Sequence, residues 1–274
     1  MELEEDFMRV GLGQIDMGFE NKAYGIAACA KIIKEAANAQ VDFLVFPEMS
    51  VTGFTDQPHE FGETVVDSET IQFFKENAVK HHMAICFGMP ILQEEKAENH
   101  CLILSKNGEL LADYAKLHPF SFGTEAKFYS GGTALASCIV EDFIVSPFVC
   151  YDFRFPEIFQ IASEKSTLLV VIANIAASRK EDWPILIRAR AIENQAYVIG
   201  VNRTGNGGGL SYLGESLVVS PRGTVLAQAG EDACLVVADL SAEEVHKCRN
   251  KFPLKADRRP ELYEKLLKNE RGIL

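Results

Sequence analysis

The sequence predicts a single α/β domain in which sheet packs on sheet and helices lie outside. Three observations carry this. Short apolar runs of strand length alternate with longer amphipathic ones. The order is strand–helix–strand early in the chain and hairpin-like late. No Pro/Gly/Ser-rich linker divides the 274 residues. With 47% hydrophobic and 24% charged residues, the composition is ordinary for a globular protein. Residues 1–274 are therefore read as one domain, with residues 250–274 as a C-terminal tail suited to oligomer contacts.

Taken in order, "MRVGLGQI" reads as a first strand. "NKAYGIAACAKIIKEAANA" places Ile26, Ala30, Ile33 and Ala37 at helical spacing. "VDFLVF" is a compact apolar run, as expected of a strand buried on both faces. "SETIQFFKENAVKHH" reads as a helix and "MAICFGMP" as a strand. "HCLILSKNGELLADYAK" is a hairpin whose Asn107-Gly108 pair supplies the positive φ angles of a tight turn. "LASCIVEDFIVSPFVC" is a strand pair turning at Glu141-Asp142, and "FPEIFQIASEK" is a helix with Pro156 in its first turn. "TLLVVIAN" is a buried strand, "EDWPILIRARAIENQAYV" a helix and "IGVNRT" a strand. "ESLVVSPRGTVLAQAGEDACLVVADL" reads as a meander of three strands. Ser241 and Glu244 form a capping box at the start of a last helix.

Several function classes are disfavoured. A net charge of −12 with no basic, aromatic-interleaved cluster argues against nucleic acid or an anionic membrane as partner. "RNKFPLKADRR" is the most basic stretch and reads as a solvated tail or oligomer arm. "MELEEDFMRV" is acidic, unlike a secretion signal. The longest apolar run carries Arg188, Arg190 and Glu193, so no membrane span is expected. Seven cysteines without a C-x-x-C point to a reducing cytoplasm. The six histidines lack metal-ligand spacing. "GNGGGL" lacks the spacing of a phosphate loop and reads as a flexible loop near the mouth of a site.

Chemistry collects where three strands end. "VDFLVFPE" finishes at Glu48, "LLADYAK" at Lys116 and "SPFVC" at Cys150. In α/β sheets, ligands sit beyond the carboxyl ends of strands. A thiol at the start of a turn faces free backbone N–H groups that favour a thiolate. A carboxylate titrating at about 4 is a poor base for a thiol at about 8.5, and burial closes that gap. A neighbouring ammonium relieves the repulsion between the two anions and can face the oxyanion of a tetrahedral intermediate. Pro147 in the strand before Cys150 donates no ladder bond, which predicts a bulge that aims the thiol.

"FPEM", "AKLHPF" and "CYDFRFPE", in that order, resemble the three signatures of the nitrilase (carbon–nitrogen hydrolase) superfamily. The similarity runs over essentially the whole chain, including "RARAIENQAYVIGVNR". It implies an αββα four-layer sandwich, two sheets face to face with helices outside. It implies Glu48 as general base, Lys116 as stabiliser of the oxyanion and intermediate, and Cys150 as nucleophile. The backbone N–H of Tyr151 would complete the oxyanion hole, and Glu125 would orient Lys116 or the substrate amide. Phe54, Arg154 and Asn174 are candidates for the pocket or its surround; Arg154 and Glu157 are expected to form an ion pair or hold the loop, and His118 to be structural.

The resemblance is greatest to the ω-amidase branch, which hydrolyses side-chain amides of small α-keto dicarboxylate monoamides such as α-ketoglutaramate. The implied reaction runs through a cysteine thioester and releases ammonia, with water as co-substrate and no metal or organic cofactor. A homo-oligomer is implied. Two departures stand out: Ser146 where many relatives have Gly, and Asn174-Ile175-Ala176 where many have Asn-Trp-Pro. Hydrolysis of N-carbamoyl amino acids or other aliphatic amides stays open, as does a non-catalytic metabolite-binding role on the same fold. The Tyr-Asp after Cys150 sets the chain apart from true nitrilases, which commonly carry Trp-Glu there.

Overall fold

The computed structural model describes residues 7–271, whose strands gather into two large sheets and one separate hairpin. The first half of the chain runs β1 (Met8–Gln14), α1 (Lys22–Asn38), β2 (Phe43–Val45), α2 (Pro58–Phe61), α3 (Glu69–His81), β3 (Ala84–Ile91), β4 (Ala97–Leu104), β5 (Leu110–Ala115), α4 (Glu125–Phe128) and β6 (Tyr129–Ser130). The second half runs β7 (Cys138–Val140), β8 (Phe143–Val149), α5 (Pro156–Ala162), β9 (Leu168–Ala173), α6 (Asp182–Asn194), β10 (Tyr197–Asn202), β11 (Thr204–Gly207), β12 (Leu210–Leu213), β13 (Leu217–Val219), β14 (Val225–Gln228), β15 (Cys234–Leu240), α7 (Ala242–Lys251) and α8 (Pro260–Arg271).

The first sheet has the order β15-β1-β2-β3-β4-β5, with β6 added to β4; the second has the order β14-β13-β10-β9-β8-β7. Each is parallel at its centre and antiparallel at its flanks: β1, β2 and β3 run parallel, as do β8, β9 and β10. Side chains alternate between the two faces of a strand. Val10, Leu12, Phe43, Val45, Cys86, Cys101 and Ile103 of the first sheet share one core with Val145, Phe148 and other residues of the second. The opposite face of the first sheet, with Leu44, Ile85, Phe87, Leu102 and Leu104, packs on Cys29, Ile32, Ile33 and Ala36 of α1 and Phe74 and Ala78 of α3. Phe159 of α5 and Trp183, Ile187 and Ala191 of α6 cover the second sheet. The result is helix, sheet, sheet, helix: the expected four-layer sandwich.

Several local readings are corrected. The buried stripe of α1 is Gly25, Cys29, Ile32, Ile33 and Ala36, with Ala30 exposed. Gly25 sets this rotation: a Cβ there would lie 2.2 Å from the Val51 carbonyl oxygen, so this face alone can approach the loop. In the β4–β5 turn only Gly108 has positive φ (79°), and a register shift at Ile103/Leu104 absorbs the odd residue. The last three strands are not one meander. β13 and β14 pair in the second sheet, whereas β15 crosses to the first and pairs antiparallel with β1. "TGNGGGLSY" is not a loop but the β11–β12 hairpin, turning on Gly208 and Gly209 at φ +56° and +76°. Ser241 occupies the N-cap of α7 without a side-chain capping bond.

No bulge accompanies Pro147, since β8 and β9 stay in register through Val149. Ile144 directs its backbone N–H and C=O toward Thr167 on the β9 side. By alternation Pro147 faces the other side, where β7 has stopped pairing at Val145. A missing N–H is harmless on such a free edge. Part of the tail is bound to its own chain: Arg258 donates to Gln160 and Glu164, and Lys255 donates to Ser163. Residues 272–274 of that tail lie outside the described residues. Among the described residues no helix is long and apolar enough to cross a membrane.

Candidate active site

Glu48, Lys116 and Cys150 come from different elements and line one cavity of about 490 Å³. Glu48 stands three residues past β2, in a loop tied to β3 by the Ser50 N–H on the Gly88 carbonyl (2.8 Å) and the Gly88 N–H on Ser50 Oγ (3.0 Å). Gly88 is required here. A Cβ would sit 2.6 Å from the Met49 nitrogen and 2.9 Å from the Glu48 Cα. Lys116 follows β5, its N–H on the Asn99 carbonyl at 2.8 Å. Cys150 follows β8 and opens a 3-10 turn, Cys150–Arg154, with its own φ at +45°. Left-handed backbone at a non-glycine residue costs of the order of 1–3 kcal/mol and persists only where its surroundings over-determine it. A sharp strand-to-helix turn of this kind holds a nucleophile out of the sheet.

The ammonium of Lys116 lies between two carboxylates: Glu48 Oε1 at 3.1 Å and Glu125 Oε1 and Oε2 at 2.9 and 2.8 Å. All three side chains are only 2% exposed. The Asn99 Nδ2 donates to both acids, at 2.7 Å to Glu48 and 3.0 Å to Glu125. The second oxygen of Glu48 accepts the backbone N–H of Asn174 at 2.9 Å. The Phe120 N–H donates to Glu125 at 2.7 Å, and the Lys116 N–H holds β4, so the cluster fixes the loop after β5.

Two carboxylates around one ammonium carry a surplus negative charge in a dry place. Burial raises the Glu48 pKa above its ordinary value; Lys116 opposes this and Glu125 reinforces it. Burial pulls Lys116 the other way, but the charges of Glu48, Glu125 and Cys150 outweigh it and hold the ammonium protonated. Burial, then Glu48, pushes the Cys150 thiol up, while Lys116 and the Asn174 N–H favour the thiolate. Thiol with carboxylate and thiolate with carboxylic acid have the same total charge. Moving the proton from Cys150 to Glu48 therefore relocates charge without creating any, and the common burial cost cancels. The arrangement can supply a thiolate nucleophile, a proton carrier and a fixed cation in one cavity.

The structure brings the other expected residues to the same place. Glu125, Tyr151, Phe54, Arg154 and Asn174 all line the cavity. Tyr151 is the first residue of the 3-10 turn after Cys150, where backbone N–H groups lack intrahelical partners. Phe54 packs at 6.0 Å on the Tyr129 ring. Arg154 pairs with Asp182 at 2.6 Å, not with Glu157 as expected, because α6 rather than α5 presents an acid to it. His118 donates its Nδ1–H to the Asp152 carboxylate at 2.8 Å and stacks on Phe155.

Sequence reasoning missed Asn99, Arg179 and Tyr212. The signal for Asn99 was weak: the amide stands between Glu98 and His100 in "AENHCLIL", a polar strand start that gives no sign of the burial found along the strand. Arg179 lines the cavity five residues past Asn174, its guanidinium 5.0 Å from the Phe120 ring and without an ion pair among the described residues. Tyr212 reaches the cavity because β12 bridges Ala176, which no local pattern records.

A family model described as carbon-nitrogen hydrolase matches residues 9–250. The chain is 30% identical over 253 residues to the 2-oxoglutaramate amidase of Bacillus subtilis, covering 91% of this chain and 97% of that one. It is 33% identical over 214 residues to the omega-amidase YafV of Escherichia coli, covering 77% and 82%. Among solved structures, a CN-hydrolase superfamily protein of Xanthomonas campestris with an arsenic adduct in its active site is similar at TM-score 0.87 and 27% identity, covering 93% of this chain and 98% of that one. Nit3 of Saccharomyces cerevisiae, a member of branch 10 of the nitrilase superfamily, is similar at TM-score 0.86 and 25% identity, covering 92% and 97%.

Proposed function

The chain belongs to the carbon–nitrogen hydrolase family, and from that premise we propose that it is an amidase acting on a small carboxylate-bearing amide of the α-ketoglutaramate type. The observation that carries the reading is the single cavity into which a thiol, a buried carboxyl and a paired ammonium converge. Cys150 Sγ bonds to the amide carbon as Glu48 takes the thiol proton. Lys116 and the Tyr151 N–H face the oxyanion, an arrangement typically worth about 10²–10³ in rate per donor. Glu48 passes its proton to the amide nitrogen, ammonia leaves, and a thioester remains. Glu48 then takes a proton from water as the oxygen attacks the thioester. The acid departs and the proton returns to Cys150. Glu125 and Asn99 hold the Lys116–Glu48 geometry throughout.

The substrate class is supported by Arg179, a cavity-lining guanidinium with no carboxylate partner among the described residues, and by the likeness to an omega-amidase and a 2-oxoglutaramate amidase. The test is intact-protein mass spectrometry with parallel ammonia release on α-ketoglutaramate, N-carbamoyl amino acids and simple nitriles. The expected result is an acyl adduct on Cys150 and turnover of the keto-dicarboxylate monoamide, both lost in Cys150→Ala. Turnover confined to N-carbamoyl compounds would overturn the substrate; metabolite binding without any adduct or ammonia would overturn the enzyme.

A further inference from the structure

Resting on that reading, we infer that Asp152 is a positioning residue whose buried carboxylate fastens the Cys150 turn to both flanks of Lys116. Asp152 is 0% exposed, yet its two oxygens accept four hydrogen bonds. Oδ2 takes the Tyr114 hydroxyl at 2.8 Å and the Val149 N–H at 3.2 Å. Oδ1 takes the His118 backbone N–H at 3.0 Å and pairs with the His118 Nδ1 at 2.8 Å.

The placement of these partners makes the argument. Tyr114 and His118 lie two residues before and two residues after Lys116, and Asp152 lies two residues after Cys150. Val149 is the last residue of the strand that delivers the thiol. A single carboxylate thus closes a ring through the strand end, the turn and the segment bearing the ammonium. No Lys or Arg pairs with Asp152 among the described residues; its partners there are the Tyr114 hydroxyl, the His118 ring and two backbone N–H groups. The partners are themselves immobilised: the His118 ring stacks on Phe155 at 3.7 Å, and Tyr114 is buried edge-on against Phe148 at 5.9 Å. The Phe155 N–H closes the far end of the turn on the Asp152 carbonyl at 3.0 Å.

This clamp explains how Cys150 keeps φ at +45° without glycine. Strained backbone persists only under many restraints, and a five-residue 3-10 turn supplies few of its own. Charge-assisted hydrogen bonds to a buried carboxylate are short and directional. Loss of the charge would let the turn relax and carry the thiol away from Lys116.

The experiment measures kcat, KM and the rate of Cys150 alkylation by iodoacetamide, followed by peptide mapping, in the full-length protein and its Asp152→Asn, Tyr114→Phe, His118→Ala and His118→Asn variants. Misplacing a reacting group by about 1 Å can cost about a hundredfold. Asp152→Asn is therefore expected to lower kcat and the alkylation rate together by about tenfold to a hundredfold, with KM changed less than about threefold. Tyr114→Phe removes one of four bonds and moves both rates the same way by less. His118→Ala lowers both, and His118→Asn, whose amide nitrogen can stand in for Nδ1, restores them. A fall in melting temperature with both rates intact, or a rise in KM alone, overturns the inference. Should Asp152→Asn not fold, Tyr114→Phe and the two His118 variants decide the matter. Alkylation needs no substrate, so a wild type that hydrolyses no amide defeats the functional reading while leaving this comparison readable.

Discussion

Asn99 shows how much one side chain can carry. Its Nδ2 is shared between Glu48 and Glu125. A hydrogen bond to a charged group contributes about 1.5–3 kcal/mol, so Asn99→Leu, which keeps the branched shape but not the donor, is expected to lower kcat by about tenfold to a hundredfold. Steady-state kinetics at fixed pH checks this. Arg179 should behave differently. Arg179→Gln is expected to raise KM about tenfold or more for a carboxylate-bearing amide and to leave a neutral amide of similar length unaffected. The pH profile reports Glu48. Its pKa is raised, and in the proposed mechanism Glu48 serves as base only when ionised, so kcat/KM is expected to fall as pH drops through a value above the ordinary carboxylate range. Glu125→Gln removes a like charge and frees Lys116 to face Glu48 alone. The acid limb should then move to lower pH.

Individual elements owe their positions to local chemistry that reaches beyond them. The start of α3 is fixed by Glu63, whose carboxylate accepts from the Ser68 hydroxyl, the Thr70 hydroxyl and N–H, and Lys22. Burial works against the Glu63 charge, but these donors overcome it and hold the pKa at about 2, below the ordinary 4.5. A depressed carboxyl contributes stability above its unfolded pKa and loses it as pH falls through the folded one. The stability difference between wild type and Glu63→Gln should therefore be full at neutral pH and narrow as pH falls from 4.5 toward 2. Denaturant unfolding at several pH values measures it. The β11–β12 hairpin is a case the one-letter pattern could not resolve. Consecutive glycines read equally as a loop, and the pairing of Thr204 with Leu213 emerges only against Ala176 and the cavity wall.

Across the whole molecule, the cavity depends on how closely the two sheets and their loops approach. Gly88 of the first sheet lies under the Glu48 backbone and against Ile172 of the second. Gly88→Ala would force them apart, costing about 1–3 kcal/mol of stability by overpacking and about a hundredfold in kcat by displacement of Glu48. Thermal melting and kinetics together test both. The strand–helix alternation, the β4–β5 and β7–β8 hairpins and the positions of Glu48, Lys116 and Cys150 were legible because buried strands and amphipathic helices leave periodic traces. The crossing of β15 to the first sheet was not, because an apolar strand fits either sheet and only packing selects its partner. The true rotation of α1 was hidden for a related reason: it is set by the Val51 backbone, which contributes no side-chain pattern.

By itself the sequence determined the layered α/β architecture and the three reactive residue types at strand ends, since hydrophobic period and residue chemistry are local properties. The tertiary structure alone decided that Asn99 bridges two acids, that Arg179 and Tyr212 wall the cavity and that Arg154 pairs with Asp182. Those relations join residues far apart in the chain, and distance in space, which sets Coulomb and hydrogen-bond energies, is not written in distance along it.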